Sequence, residues 1–405
     1  MRSRLLAGLL LIMILSSIEA APSNNIIITD INNQTHSGRN ITIKDAKNCI
    51  LLMPEAEGIF ALDELIEIRV VAETISEPAS TPGLYEFVLN NHDIICANLI
   101  SGTPNSLIVK SPTLGTLNIN YDQLLMIKTN PSLSEKISGD SKHDQDSIWL
   151  LNGDKDQGIV TMITPEKISL KSAIYNKERT YEINAVGLLM LAQLGAPPQE
   201  TVKNPTQLIT QDNSRITARN FTIINQSITL TTLDNQTFRV LLDKLKAICF
   251  QNPQCTYLSD LEPVEVKEYY PIMSKELAMI PFLWNYQKNK SVYNHRDISL
   301  HKQSYYKGLG VHADCELTYR LDGAYQKFFA AIGLDDESGP GGSVQFLVYA
   351  DNKPIYKSNV FKWQTPAEPV ALDIVGVKEL KLVVNDAGDG LTMDRAAWAS
   401  ARVIK

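Results

Sequence analysis

Five cysteines in 405 residues are too few and too scattered for a disulfide scaffold. Only Cys249 and Cys255 lie close enough in sequence to pair in an oxidising compartment, and their spacing excludes a CxxC redox or zinc motif. A disulfide and two free thiols both stay open for that pair; Cys49, Cys96 and Cys315 read as buried small hydrophobes. Long apolar runs are also lacking. The longest early one, Leu5 to Leu15, is too short to span a bilayer, which takes about 20 residues. Arg2 and Arg4 precede it and Ser16 to Ala20 follow, which is the pattern of a secretory signal peptide cut after Ala20. No later segment reaches transmembrane length, so the expected chain is soluble and exported: periplasmic, cell-surface or extracellular.

Excess positive charge is missing too. The formal net charge is -7, which argues against a nucleic-acid partner and is neutral toward a sugar. The signatures of catalysis are absent: no GxSxG, HExxH, Walker loop or GxGxxG. Six histidines form no metal triad with sensible spacing. Nothing marks the two carboxylates a glycosidase needs, and no strand–helix alternation suggests a catalytic barrel. The sequence reads as that of a non-enzyme.

What is present first is a repeat. Four apolar triplets are spaced by three: Leu62, Leu65, Ile68; Tyr121, Leu124, Ile127; Ile183, Val186, Leu189; and Leu242, Leu245, Ile248. Successive triplets lie 59, 62 and 59 residues apart. Spacing by three suggests a short helical turn with one apolar side. Before each triplet come strand-like runs such as Asn40 to Ile43, Ser106 to Val109, Lys167 to Leu170 and Ser227 to Leu230, which alternate apolar with polar. Turn residues punctuate them at Asn32-Asn33, Asn90-Asn91, Asn152-Gly153 and Asp234-Asn235. Four small β-meanders follow, similar in pattern to SH3-like or Sm-like barrels. Units 1 and 2 occupy 21–130 and units 3 and 4 occupy 146–250. A polar linker spans 131–145, and a second exposed stretch runs from Gly195 to Asn204.

After Cys255 the composition shifts toward tyrosine, tryptophan and glycine. Glu316 to Arg320, Lys327 to Ile332, Ser343 to Tyr349, Val370 to Ile374 and Glu379 to Val384 read as short strands between turns, which predicts a β-sandwich. The expected class is all-β throughout. Trp398, among Ala396, Ala397 and Ala399, is assigned to the core. Trp363, in a polar loop, is a stacking platform for a sugar ring.

Several motifs in 255–405 carry a family resemblance. Tyr305 to Ala313 resembles the "kGlgvHa" signature of the NPCBM domain, carbohydrate-binding module family 51. Phe328 to Glu337, Gly342 to Phe346 with Tyr349 to Lys353, Asp386 to Gly390 with Asp394 to Ala399, and the opening Tyr257 to Leu261 are similar to its further motifs, in order. The resemblance implies a galactose-binding-domain-like sandwich, found with family 98 glycoside hydrolases, that holds galactose-type glycans. The segment from Tyr269 to Ser304 departs from the pattern: it is longer and more basic, with Trp284, Lys288 to Lys290 and His295-Arg296.

Within that frame His312, Trp363, Asp335 and Asp336 are the candidate carbohydrate contacts, with His312 equally readable as a strand-start residue that bonds backbone. Asp386, Asp389 and Asp394, with Asp260 from the opening motif, are candidate Ca²⁺ ligands, since dense carboxylates in a glycine-bearing loop suit a hard cation. Solvated turn acids are the plainer reading. The expectation is a secreted, non-catalytic glycan-binding protein. Its rivals are a cell-envelope structural or interaction protein whose sandwich no longer binds sugar, and a glycoside hydrolase with an active site in the N-terminal region.

Overall fold

A computed structural model of the chain describes residues 25–45, 47–71, 84–129, 144–193, 205–269, 285–293 and 296–405. The signal-peptide segment, the stretch 195–204 and nearly all of the linker 131–145 lie outside them.

Each of the four units is a meander whose last strand returns to pair with its first. Asn25–Asp30 pairs with Leu65–Val71, Tyr85–Leu89 with Leu124–Lys128, Asp146–Leu150 with Val186–Met190, and Thr206–Thr210 with Leu245–Phe250. The first turn of every unit holds one residue at positive φ, at Asn33, His92, Gly153 and Asn213. Asparagine and glycine tolerate that left-handed conformation best, which is why such residues mark the turns.

The triplets belong only partly to a helical turn. The first member of each opens a three-residue 3-10 turn, as at Leu62–Glu64 and Leu242–Lys244, and the other two lie in the last strand. Two strand residues three apart should face opposite sides. A β-bulge resolves this in all four units, because the register with the first strand skips one residue at Ile66, Leu125, Gly187 and Lys246. The extra residue turns both apolar members inward.

The units then pair through their last strands, but not in chain order. Leu124–Lys128 joins Val186–Met190, with Ile127 opposite Leu189, and Leu245–Phe250 joins Leu65–Val71, with Ile248 opposite Ile68. In both cases the third triplet residue faces its own counterpart, so a local two-fold passes through that pair. Two cores result, one shared by units 1 and 4 and one by units 2 and 3. A backbone bridge between Ile43 and Ile223 further closes the first pair.

The C-terminal region is a two-sheet antiparallel sandwich. One sheet orders Gln287–Lys288, Gly308–His312, Arg395–Ile404, Lys327–Leu334 and Glu368–Asp373, with Cys255–Tyr257 added to Arg395–Ile404. The other orders Glu265–Glu268, Cys315–Arg320, Glu379–Asn385, Ser343–Ala350 and Lys353–Lys362. Trp398 is buried between them, with Phe346 edge-on at 5.0 Å and Phe328 at 6.3 Å. Aromatic pairs prefer this geometry to a face-to-face sandwich.

All five cysteines are free. Cys249 packs near Tyr306 and Cys255 near Phe329 and Ile404. These two contacts belong to the apolar seam by which the sandwich sits on units 1 and 4. Across that seam Arg402 donates to Asn33 at 2.5 Å and Arg215 donates to Asp297 at 2.6 Å.

Candidate functional site

Strand pairing decides which loops share an end of the sandwich. His312 lies opposite Arg395, and Leu334 opposite Ala396. In the second sheet Cys315 lies opposite Val384, Gln345 opposite Asn385 and Ser343 opposite Lys362. The loops that follow Leu334, Lys362 and Asn385 therefore meet at one rim. His312, Asp335, Asp336, Trp363, Asp386, Asp389 and Asp394 all lie there. Asp260 does not. It sits in a turn near the opposite end, where Lys307 holds its carboxylate at 2.6 Å. Motif order cannot reveal which end of a sandwich a loop occupies, and the proposed partnership of Asp260 with the Asp386–Asp394 loop is corrected on that ground.

His312 is buried at the end of its strand, not the start. Its Nδ1 donates to the Ala313 carbonyl at 2.6 Å, and burial lowers its pKa, so the ring is held neutral. Arg395, partly buried, lies beside it. Its guanidinium lies 3.8 Å from the centre of the Tyr293 ring and donates to the Glu337 carbonyl at 2.7 Å. Arg296 reaches the Glu337 carboxylate at 3.4 Å. Tyr293, Arg296, Glu337 and Arg395 thus form a stacked, charged wall. The basic departure at His295-Arg296 was the one sign of it in the sequence.

Asp335 is a building piece rather than a surface acid. Its carboxylate accepts the Glu337 N–H at 3.0 Å and the Ser299 N–H at 3.3 Å. Burial pushes its pKa up to about 6 despite those bonds. Asp336 is exposed and binds the Ser299 hydroxyl and the Lys302 N–H. Trp363 is 38 % exposed at the rim, and its backbone N–H donates to the Gly342 carbonyl at 3.3 Å. A side chain at Gly342 would meet the Met393 carbonyl at 2.5 Å, so glycine lets the two rim loops touch.

The acidic loop is also tied down. Asp389 accepts the Ser343 hydroxyl at 2.8 and 2.7 Å, and Asp394 accepts the Ser343 N–H at 2.8 Å. Asp386 accepts the Gly388 N–H at 2.9 Å. Asp394 is fully buried, and burial raises its pKa to about 7, with Asp389, Asp386 and Asp314 adding to the rise. Its Oδ2 has no hydrogen-bond partner among the described residues. Among those residues no group of three or more histidine, cysteine or carboxylate side chains is arranged to hold a metal ion. Ser343 engages both Asp389 oxygens and one Asp394 oxygen, which leaves Asp394 Oδ2 and the second Asp386 oxygen without a bond to it.

These loops crown the two-sheet sandwich. Residues 254–404 match the family model described as the NPCBM/NEW2 domain, and the C-terminal region is such a domain. A Renibacterium salmoninarum protein named "Putative endo-alpha-N-acetylgalactosaminidase" is 31 % identical over 103 residues, 25 % of this chain. The chain spans 7 % of that relative's length. Among solved structures, a CBM51 module from a Clostridium perfringens family 95 enzyme, in complex with methyl-galactose, is 30 % identical. It covers 37 % of this chain and 99 % of its own, at a TM-score of 0.32. Tandem CBM51 modules of a family 98 glycoside hydrolase from Streptococcus pneumoniae are 13 % identical, covering 94 % and 88 % at a TM-score of 0.31.

Proposed function

We propose that the C-terminal domain binds a galactose-type glycan reversibly at the rim that carries Trp363, Tyr293, Arg395 and Glu337, and that the chain does so as an exported, non-catalytic protein. The observation that carries this reading is the match of 254–404 to the NPCBM/NEW2 domain, taken with where its rim loops converge. A sugar offers an apolar ring face and a fan of hydroxyls. Trp363 supplies an exposed ring for the face. Arg395, Arg296 and Glu337 supply fixed donors and acceptors for the hydroxyls. His312 and Asp335 act from behind, since both are buried and already bonded to the backbone.

The hydrolase alternative draws no support from the buried acids of the repeats. Asp93 accepts the Thr217 N–H at 2.9 Å and its hydroxyl at 2.6 Å. Asp156 accepts hydroxyls from Ser172 and Tyr181. Asp93 ties the turn before Ile94 to the strand Arg215–Ile224, and Asp156 ties its own strand to Lys167–Ser172 and Lys177–Glu182. The scaffold alternative has one observation in its favour: Ile159, Ile174 and Tyr175 of unit 3 are more than half exposed.

A screen of the whole chain against an array of galactose-, N-acetylgalactosamine- and N-acetylglucosamine-terminated glycans tests the proposal. Binding that Trp363→Ala abolishes supports it. No binding to any glycan would sink it.

A further inference from the structure

The rim site is not built by the sandwich alone. One of its walls is formed by residues 289–293 and 296–300, which carry Tyr293, Arg296 and Ser299. On the sandwich side this segment lies close against the strand Gly308–His312. A side chain at Gly310 would sit 2.2 Å from the Lys290 carbonyl, and Val292 is buried. The segment closes on itself where the Ser291 N–H donates to the Arg296 carbonyl at 2.7 Å.

On its other side the segment is held by the repeats. Asp297 takes an ion pair from Arg215 of unit 4 at 2.6 Å, with both side chains largely buried, 13 % and 16 % exposed. Lys290 adds a contact at 3.4 Å. Burial alone would push the Asp297 carboxyl up; Arg215, Lys290 and Lys246 outweigh it and hold the group below its ordinary value. The neighbours of Asp297 do the work at the rim. Arg296 pairs with Glu337, and Ser299 donates to both Asp335 and Asp336. The pairing is also local to the seam, where Tyr306 packs on Ile209 and Ala247 and Arg69 stands over the Tyr305 ring at 5.5 Å.

We propose that Arg215 is a positioning residue for the glycan site: through Asp297 it fixes the segment that sets Arg296 on Glu337 and Ser299 on Asp335 and Asp336. The N-terminal repeats are then part of the binding device and not a spacer. This inference rests on the reading that the rim binds glycan. Removing Arg215 takes away the nearest cation and the short bond across the seam and leaves Asp297 to the more distant Lys290 and Lys246, so the segment should loosen there.

The test uses the whole chain carrying Arg215→Gln, with Arg215→Lys as the conservative variant. Methyl galactoside and methyl N-acetylglucosaminide are titrated by calorimetry, and amide hydrogen exchange is followed at 297–303 and at the buried strand 395–404. Arg215→Gln is expected to weaken binding about tenfold, in the usual range of coupling between sites. Exchange should rise at 297–303 and hold at 395–404, and Arg215→Lys should stay near wild type. Wild-type affinity in Arg215→Gln, or unchanged exchange at 297–303, overturns the proposal. Should Arg215→Gln fail to fold, Asp297→Asn probes the same contact from the sandwich side. If the wild-type chain binds neither sugar, the glycan reading fails separately and exchange alone decides whether Arg215 holds the segment.

Discussion

Two tryptophans of the same domain show how one residue type serves opposite ends. Trp398 is buried under Phe346 and Phe328, so Trp398→Ala should cost about 3–5 kcal/mol in urea unfolding. Trp363 is 38 % exposed, so Trp363→Ala should change stability by no more than about 0.5 kcal/mol while removing glycan binding. The acids at the rim carry a second prediction. Asp335 and Asp394 have folded pKa values raised to about 6 and about 7 from an ordinary 3.8. A raised carboxyl pKa means the folded state binds more protons, so stability is greatest below about pH 4 for these two groups and declines as pH climbs to about 7. Asp394→Asn should flatten that decline, as melting temperature against pH would show, if its amide keeps the Ser343 bond. Melting with and without chelator tests the Ca²⁺ expectation at the Asp386–Asp394 loop: a native-state ion raises stability, so a drop on chelation supports a bound ion and an unchanged value argues against one. The motif that holds His312 and the alanines around Trp398 were readable as sequence. That His312 is buried and lies opposite Arg395 was not, because strand pairing across 83 residues leaves no local mark.

At the scale of elements, the repeat of the triplets was legible and their geometry was not. Spacing by three is ambiguous between a helical turn and a bulged strand, and the chain uses both in succession. Pairing of unit 1 with unit 4 was invisible for a different reason: it is a long-range contact that no local pattern encodes. The bulge gives a sharp prediction. Deleting Ile66 removes the extra residue and turns Ile68 away from the core shared by units 1 and 4. That deletion should abolish cooperative unfolding of the pair. Ile68→Ala and Ile248→Ala face each other across the local two-fold, so each should destabilise by about 2–5 kcal/mol and the double variant by less than their sum.

At the scale of the whole molecule, four meanders in two pairs, joined through their last strands, carry a sandwich that contacts them across an apolar and ionic seam. The sequence separated these regions by composition, and the ordered motifs of 255–405 identified the sandwich. The seam between them was hidden, since Arg215 and Asp297 are 82 residues apart and neither sits in a motif. The central claim is that this rim binds sugar. The direct measurement is the glycan array with the full chain and with its Trp363→Ala variant side by side. Selective binding by the wild type to galactose-terminated glycans, lost in the variant, is the predicted result. An array blank for both proteins, or one on which the variant binds as the wild type does, would contradict it.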